Sequence, residues 1–185
     1  MRYSNTLVKI ILFLAVMSLH WITLLPESQG AEAWPVRYNG PGNGVDEAIA
    51  LALDAQGNVY VTGYSEGVGS DYATIKYGPT GDLLWKKRYN GPGNSRDGAR
   101  TLAVDVQGNA YVTGSSNGVE SSDDYATIKY SPTGVRLWVR RYNGPGDGYD
   151  EATALALDAE GNVYVAGGST GDGTDMDYAI VKYGP

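Results

Sequence analysis

The chain has 185 residues, a net charge of −7, no cysteine and one histidine. Its length is typical of a single domain, and its acidic balance argues against a nucleic-acid partner, which needs a basic surface, and against attraction to anionic lipid. Gly and Tyr are abundant while Phe occurs once, and Gly-rich turns combined with aromatic, β-branched segments are typical of all-β structure.

The N-terminal region has the three-part organisation of a secretory signal peptide. Arg2 and Lys9 precede an apolar run over 10–25, and an Ala-Glu-Ala cleavage motif follows at 31–33. The run approaches the length that spans a bilayer, so a retained membrane anchor is the competing interpretation. We predict a cleaved signal peptide over 1–33, and hence a secreted, periplasmic or cell-surface protein that does not contact the membrane after cleavage.

The single histidine, His20, lies inside this predicted signal peptide. The predicted mature chain therefore has neither histidine nor cysteine. Nucleophilic catalysis through either residue type is excluded there, and so is an ordinary zinc site.

The rest of the chain, 34–185, contains three near copies of one repeat, divided at about 34–84, 85–137 and 138–185. An acidic and a basic position recur in each copy: Asp54, Asp105 and Asp158, and Lys76, Lys129 and Lys182. A repeat of about 50 residues with short alternating strands is the size of one β-propeller blade. We therefore predict an all-β fold built from β-propeller blades of four antiparallel strands.

In the first copy the four strands are predicted over 47–53, 59–64, 71–77 and 83–89. The first strand has apolar residues on both faces and is expected to be covered on both sides. Asp54 opens a tight turn, and Gly63 marks a bend or a close approach to another backbone. The basic residues of the fourth strand, among them Arg88, indicate a solvated sheet edge, so this strand is predicted to be outermost.

The phrase D-x-x-GNVYVTG, followed by DYATIKY-x-PTG-x-x-LW, resembles the bacterial β-propeller repeat known as the SBBP repeat. The resemblance extends over nearly all of 34–185. It implies one blade for each copy and an extracellular or envelope location. It implies no particular activity, because propellers serve enzymes, lectins and scaffolds alike.

The number of strands does not fit a complete propeller. The segment WPVRYN at 34–39 matches a fourth strand with no first three before it, and the third copy reaches 182–185 where a fourth strand is due. The total is about twelve strands, or three blades, whereas closed propellers have about 4–8 blades. Three hypotheses are open: a partial propeller that is a piece of a longer one, a homodimer that forms a six-bladed ring by exchange of the 34–39 strand, and an open three-bladed stack.

The candidate binding residues follow from the course of the chain. In an antiparallel meander the tight turns share one end of the sheet and the longer connections share the other, which we call the long-link end. Long polar connections are the usual place for binding. The ligand-face candidates expected at this end are five acidic residues and two loop tyrosines: Asp46, Asp71, Asp97, Asp124, Asp150, Tyr64 and Tyr149.

A local carboxylate cluster offers oxygen ligands for calcium, the one cofactor considered: Asp172, Asp175 and Asp177. The cluster lacks the spacing and the final Glu of an EF-hand loop, so turn formation is the competing interpretation.

Function is predicted by class. The preferred hypothesis is a non-enzymatic propeller module that binds an unidentified protein or glycan, or has a structural role. The alternative is a carbohydrate- or calcium-binding, lectin-like propeller. The second alternative is a carboxylate-dependent glycosidase or lyase that uses loop acids such as Asp97 and Asp150, although an acid that recurs in every blade is more typical of a residue that bonds the inter-blade turn.

Overall fold

The computed structural model of the protein describes residues 33–67 and 69–185. The predicted signal peptide, 1–33, lies outside the described residues except for Ala33. Residues Pro35–Pro185 form one compact unit. In the described part of the chain, no helix is long and apolar enough to cross a bilayer.

The described residues form eleven strands in three antiparallel sheets, which we number as blades 1, 2 and 3. Blade 1 contains β1 (Asp46–Leu53), β2 (Val59–Gly67), β3 (Gly69–Tyr77) and β4 (Leu83–Tyr89). Blade 2 contains β5 (Asp97–Val104), β6 (Ala110–Asn117), β7 (Asp123–Tyr130) and β8 (Arg136–Tyr142). Blade 3 contains β9 (Asp150–Leu157), β10 (Val163–Thr170) and β11 (Met176–Tyr183). The all-β prediction and the blade-like unit are confirmed.

Each sheet is a meander in which strands adjacent in sequence are adjacent in the sheet. The first strands of successive blades are in contact, β1 with β5 and β5 with β9. The fourth strands β4 and β8 form the opposite edges of their sheets. This order agrees with the prediction that the fourth strand is outermost.

The tight turn between the first two strands is built around an aspartate. The Asp54 Oδ1 atom accepts hydrogen bonds from the backbone N–H groups of Gln56 (3.0 Å) and Asn58 (2.9 Å). Gly57 then takes a φ of 78°, a conformation that favours glycine because it has no Cβ. A short polar side chain and a glycine at this spacing therefore determine the hairpin locally.

Gly63 lies where β1 and β2 approach most closely. The pairing register shifts between Ala48 and Ala50, which is the mark of a β-bulge. A Cβ atom at Gly63 would lie 1.9 Å from the Glu47 carbonyl oxygen. The close backbone approach predicted at this glycine is therefore present.

Successive blades pack face to face. The forward face of a blade is the side that carries Tyr72 in blade 1, Tyr125 in blade 2 and Tyr178 in blade 3; the opposite side is the rear face. The forward face of blade 1 packs on the rear face of blade 2 in one buried cluster, and blades 2 and 3 meet in a second cluster. Both clusters contain buried aromatic side chains, five in the first and two in the second.

Hydrogen bonds between blades recur with the repeat. The Tyr72 hydroxyl donates to the Ala126 carbonyl in blade 2 (3.1 Å), and the Tyr125 hydroxyl donates to the Ala179 carbonyl in blade 3 (3.4 Å). Trp85 adds a bond from its indole Nε1–H to the Pro132 carbonyl (3.0 Å). The forward tyrosine thus bonds the same position of the next blade each time.

Three details of the sequence-based strand assignment were wrong. The second and third strands of blade 1 extend further toward the long-link end than predicted, β2 to Gly67 and β3 from Gly69. Asp71 lies on β3, within the predicted 71–77 strand, whereas Asp124 and Asp177, expected in acidic loops, lie on β7 and β11. Tyr64 likewise lies on β2. Among the described residues the segment 34–39 is not a strand, so the total is eleven rather than twelve. Blade 3 has three strands, as expected of a third copy that stops where its fourth strand is due.

The prediction that the first strand is covered on both faces was wrong for blade 1. Leu51 is 64% exposed on β1, whereas Leu102, the matching residue of β5, is buried. The difference arises because β5 lies between two blades, whereas no described blade precedes β1.

Candidate functional site

The acidic candidates lie in three equivalent rows at the long-link end. In each blade an Asp of the first strand pairs with a Ser of the second strand, which pairs in turn with an Asp of the third strand. We call these the polar rows, and they consist of Asp46–Ser65–Asp71 in blade 1, Asp97–Ser116–Asp124 in blade 2, and Asp150–Ser169–Asp177 in blade 3.

The first Asp of every row accepts a hydrogen bond from the turn that enters the blade. The Gly40 N–H donates to Asp46 Oδ2 at 2.8 Å, the Gly91 N–H to Asp97 Oδ2 at 2.8 Å, and the Gly144 N–H to Asp150 Oδ2 at 2.6 Å. Burial raises the pKa of Asp97 above its ordinary value, against the lowering effect of the hydrogen bonds it accepts. These contacts are the ones expected of an acid that bonds the inter-blade turn.

In blades 1 and 2 an arginine of the fourth strand reaches across the row. Arg88 donates from Nη2 to Asp71 Oδ2 (2.8 Å) and to the Ser65 carbonyl (2.9 Å), and from Nη1 to Ser65 Oγ. The planar guanidinium group, with five fixed N–H donors, suits such a multiple contact. One arginine therefore connects β2, β3 and β4 of its blade.

Arg141 repeats this arrangement in blade 2. It donates from Nη2 to Asp124 Oδ2 (2.7 Å) and from Nη1 to Ser116 Oγ (2.5 Å), and its Nη1 also reaches the Tyr89 hydroxyl of blade 1 (3.3 Å). Burial lowers the pKa of Arg141, but the bonds to Asp124 and Tyr89 outweigh that effect and raise it. The arginine thus contributes to the contact between blades as well as to its own blade.

The interpretation of the fourth-strand basic residues as a solvated edge was wrong for Arg88 and Arg141. Both side chains are 22% exposed and ion-paired with Asp71 and Asp124. Sequence reasoning missed the serines of the rows altogether. The available signal was the arginine that precedes Tyr-Asn in every copy, at Arg37, Arg88 and Arg141.

The polar row of blade 3 differs from the other two because β11 has no fourth strand beside it. Ser169 is 3% exposed, and its Oγ atom has no hydrogen-bond partner among the described residues. Asp177 Oδ2 accepts a bond from Thr174 Oγ1 (2.9 Å) instead of one from an arginine. The third row therefore lacks the guanidinium group that completes the other two.

The two candidate tyrosines are engaged in different ways. The Tyr64 hydroxyl donates to Glu47 Oε2 at 2.7 Å, and this hydrogen bond raises the pKa of Tyr64. Tyr149 precedes β9 and is partly exposed, and burial followed by the neighbouring Glu151 raises its pKa. Of the two, Tyr149 is the one that lies in a connection between strands, as predicted.

The structure does not bring Asp172, Asp175 and Asp177 together as a ligand set. In residues 33–67 and 69–185 no group of three or more His, Cys, Asp or Glu side chains is placed to bind a metal ion. Asp172 and Asp175 lie in the connection before β11, and Asp177 lies on β11. The geometry thus adds no support to the calcium hypothesis.

The forward face of blade 3 exposes large apolar side chains. Tyr178 is 85% exposed and Ile180 is 66% exposed, with Met176 beside them on β11. In β3 and β7 the matching positions are the buried residues Tyr72 and Thr74, and Tyr125 and Thr127. The same side chain positions that form an interface in blades 1 and 2 are therefore open to solvent in blade 3.

The rear face of blade 1 carries a groove at the opposite end of the stack of blades. Its volume is 340 Å³, and its lining includes Leu51 and Ile75 from the sheet and Val36 and Tyr38 from the segment before it. The two end blades thus each present an apolar face, one forward and one rear.

Comparison with known proteins supports the assignment of blades. The β-propeller repeat SBBP matches residues 84–119 and 137–173. Each matched segment runs from a fourth strand into the first two strands of the next blade. The chain is also similar to the Regulatory protein FlaEY of Caulobacter vibrioides, with 30% identity over 148 residues. That match covers 70% of this chain and 15% of the relative, so the chain spans only a small part of the relative's length. Residues 84–119 and 137–173 therefore match two tandem β-propeller repeats of the SBBP type.

Proposed function

We propose that the chain is a non-catalytic β-propeller repeat module, exported from the cytoplasm, that acts by binding protein through the outward faces of its end blades. The observation that carries this proposal is the exposure of Tyr178 and Ile180 on the forward face of blade 3. Exposed apolar surface of this kind commonly marks a site of protein–protein contact.

The composition of that face supports the proposal. In blade 1, Thr62 and Thr74 hydrogen-bond to each other at 3.0 Å inside the blade interface, and Thr113 and Thr127 do the same at 2.9 Å in blade 2. In blade 3 the corresponding residues are Ala166 and Ile180. The face of blade 3 therefore exposes an apolar side chain, Ile180, and a partner that covers it would remove this apolar surface from water.

The groups at the long-link end support a structural role over a catalytic one. Asp46, Asp97 and Asp150 bond the inter-blade turns, and Asp71 and Asp124 pair with arginines. A glycosidase needs two carboxyl groups that face each other across a space for the sugar. The acids of the polar rows are instead directed into contacts within their own blade.

Hydroxyl-radical footprinting in producing cells tests the proposal. The reference is the chain unfolded in urea, because a ring that is 85% exposed, as in Tyr178, reacts nearly as fast as an unfolded one. We expect Tyr178 to be protected several-fold in cells. Equal rates in cells and in urea would refute binding by this face. Protection of Tyr149 together with an unprotected Tyr178 would refute it in favour of a ligand at the long-link end.

The export part of the proposal rests on the N-terminal sequence and has its own test. Mass spectrometry of the protein purified from the cell envelope or medium should show an N-terminus close to Trp34. A chain that keeps residues 1–33 and co-purifies with the cytoplasm would refute export.

A further inference from the structure

We propose that the partner of the blade 3 face is a second copy of this chain, whose Arg37 completes the third polar row by bonding Ser169 and Asp177. This inference rests on the proposed function and names its partner. Two copies related by a two-fold axis would each complete the other's blade 3 and form a ring of six blades.

Ser169 lacks the hydrogen-bond donor that the matching serines of blades 1 and 2 have. Ser65 and Ser116 each accept a hydrogen bond at Oγ from the arginine of their own fourth strand. Ser169 occupies the same place in the third row and is 3% exposed, yet its Oγ atom has no partner among the described residues. Buried hydroxyl groups are almost always hydrogen-bonded. The position therefore calls for a donor that reaches it from beside β11.

Arg37 occupies the repeat position that supplies this donor in blades 1 and 2. Arg37 precedes Tyr38-Asn39 as Arg88 precedes Tyr89-Asn90 and Arg141 precedes Tyr142-Asn143. Unlike those two, Arg37 is exposed and makes no hydrogen bond or ion pair with the residues that the structure describes. Among the row serines and the arginines that precede Tyr-Asn, the described residues leave Ser169 without a donor and Arg37 without an acceptor, at opposite ends of the stack of blades.

The segment that carries Arg37 lies against the rear face of blade 1. Tyr38 interacts with Arg88 of blade 1, in the way that the Tyr89 hydroxyl interacts with Arg141 of blade 2. Val36 and Tyr38 also line the groove on the rear face of blade 1. Residues 35–40 therefore lie, relative to blade 1, where the fourth strand of a preceding blade would lie.

The pairing register of β7 with β8 indicates which residues of the two copies would lie opposite each other. In blade 2 the third and fourth strands pair Tyr125 with Tyr142 and Thr127 with Arg140. The same register applied to β11 pairs Tyr178 with Tyr38, and Ile180 with Val36, of the second copy. The edge of β11 away from β10 has no neighbour among the described strands and is free to accept this strand.

A single arrangement of the two copies accounts for all four observations. If segment 35–40 of the second copy stays on its own blade 1 and adds to β11, the rear face of that blade 1 covers the exposed forward face of blade 3. The Tyr178 hydroxyl then faces the Ala73 carbonyl of the second copy, which corresponds to the Tyr72–Ala126 and Tyr125–Ala179 bonds within one chain. The new interface would continue an interface that the chain already makes twice.

The stoichiometry follows from the number of blades. Closed propellers contain about 4–8 blades. Two copies of the three described blades would give six blades, whereas one copy of them gives three and three copies give nine. A ring built from the described blades of two copies therefore has a blade number within the range of closed propellers.

The first experiment measures the mass of the purified chain by light scattering across a dilution series, together with Arg37→Ala and the control Arg136→Ala. Arg136 is an exposed arginine of β8 that lies away from the proposed interface. We expect twice the chain mass for the parent and for Arg136→Ala, and at least a tenfold higher dissociation constant for Arg37→Ala. An unchanged circular dichroism spectrum and melting curve of monomeric Arg37→Ala would show that the fold is intact. A monomeric parent chain, or equal dissociation constants for the two variants, would overturn the proposal.

The second experiment uses the absence of cysteine from the chain. A Val36→Cys chain is mixed with an Ile180→Cys chain under mild oxidation, because directly opposed residues of paired strands are close enough for a disulfide. We expect a cross-linked heterodimer as the main product. The control replaces Ile180→Cys by Leu137→Cys, an exposed position on β8. A cross-linking yield no higher than that of this control would overturn the proposed register.

Failure of this inference can be separated from failure of the proposed function. A monomeric chain in solution whose Tyr178 is nevertheless protected in cells would refute the second copy and keep binding by the blade 3 face. A monomeric chain with an unprotected Tyr178 would refute both.

Discussion

Replacement of Asp54 by Asn tests how much one turn carboxylate stabilises a blade. Besides the two backbone bonds at Oδ1, Asp54 Oδ2 accepts hydrogen bonds from Asn58 Nδ2 (2.7 Å) and from the Tyr60 hydroxyl (3.2 Å). Lys76 Nζ lies 3.3 Å from the same oxygen, and both side chains of this ion pair are buried. Asn has nearly the same shape as Asp, but it removes the charge that faces Lys76 and one of the acceptor oxygens.

The magnitude follows from the pKa of Asp54. Burial raises this pKa, but the hydrogen bonds from Asn58, Lys76 and Gln56 outweigh burial and lower it from 3.8 to about 2. The lowered pKa corresponds to about 2 kcal/mol of stability. Because the pKa is lower in the folded chain than in the unfolded one, this stabilisation is fully present above about pH 4 and is lost as the pH falls through about 2.

The assay is urea unfolding of the parent chain and of Asp54→Asn at a series of pH values, analysed as a two-state transition. We expect the variant to be less stable by about 2 kcal/mol near neutral pH, and the difference to shrink as the pH approaches about 2. The matched control is Asp82→Asn, an exposed acid of the next turn at the same end of blade 1, which should change stability by less than about 0.5 kcal/mol. A difference for Asp54→Asn that is independent of pH would refute the assigned role of its charge.

Two further substitutions test the contacts within and between blades. Tyr72→Phe removes the hydroxyl that bonds the Ala126 carbonyl and should lower the free energy of unfolding by about 1 kcal/mol in urea titrations; a change below about 0.3 kcal/mol would contradict this role. Gly114→Ala would place a Cβ 2.0 Å from the Gly98 carbonyl oxygen, so thermal unfolding should show a loss of about 1–3 kcal/mol. A Cβ at Gly98 meets nothing within 4 Å, so Gly98→Ala is the control, and equal losses for the two variants would refute the steric argument.

The repeat period, the strands and the tight turns could be predicted from sequence because each depends on residues close together in the chain. Asp54 and Gly57 determine their hairpin through contacts within five positions. Alternation of side chains along β3 places Tyr72 and Ile75 on opposite faces in any sheet that contains it. The position of the acidic candidates at the long-link end followed from the same local rules.

The bonding of those candidates could not be predicted, since it joins residues far apart in sequence. Arg88 meets Ser65 and Asp71 across 23 and 17 positions, and only the pairing register of β2, β3 and β4 brings them together. A solvated lysine or arginine at a sheet edge has the same sequence signature as an arginine that folds back over its blade. The strand ends of β2 and β3 were underestimated for the same reason, because long-range pairing extends them past their apolar residues.

The sequence by itself determined what each blade is: its period, its hairpins, its two faces and the arginine repeated before each Tyr-Asn pair. The tertiary structure alone decided which of those faces meet another blade. Leu51 and Leu102 stand at the same repeat position, yet one is exposed and the other buried; Ser116 and Ser169 likewise differ in whether an arginine reaches them. Burial and hydrogen bonding depend on the neighbour that a surface meets, and identical repeats acquire different neighbours at the ends of the stack than in its middle.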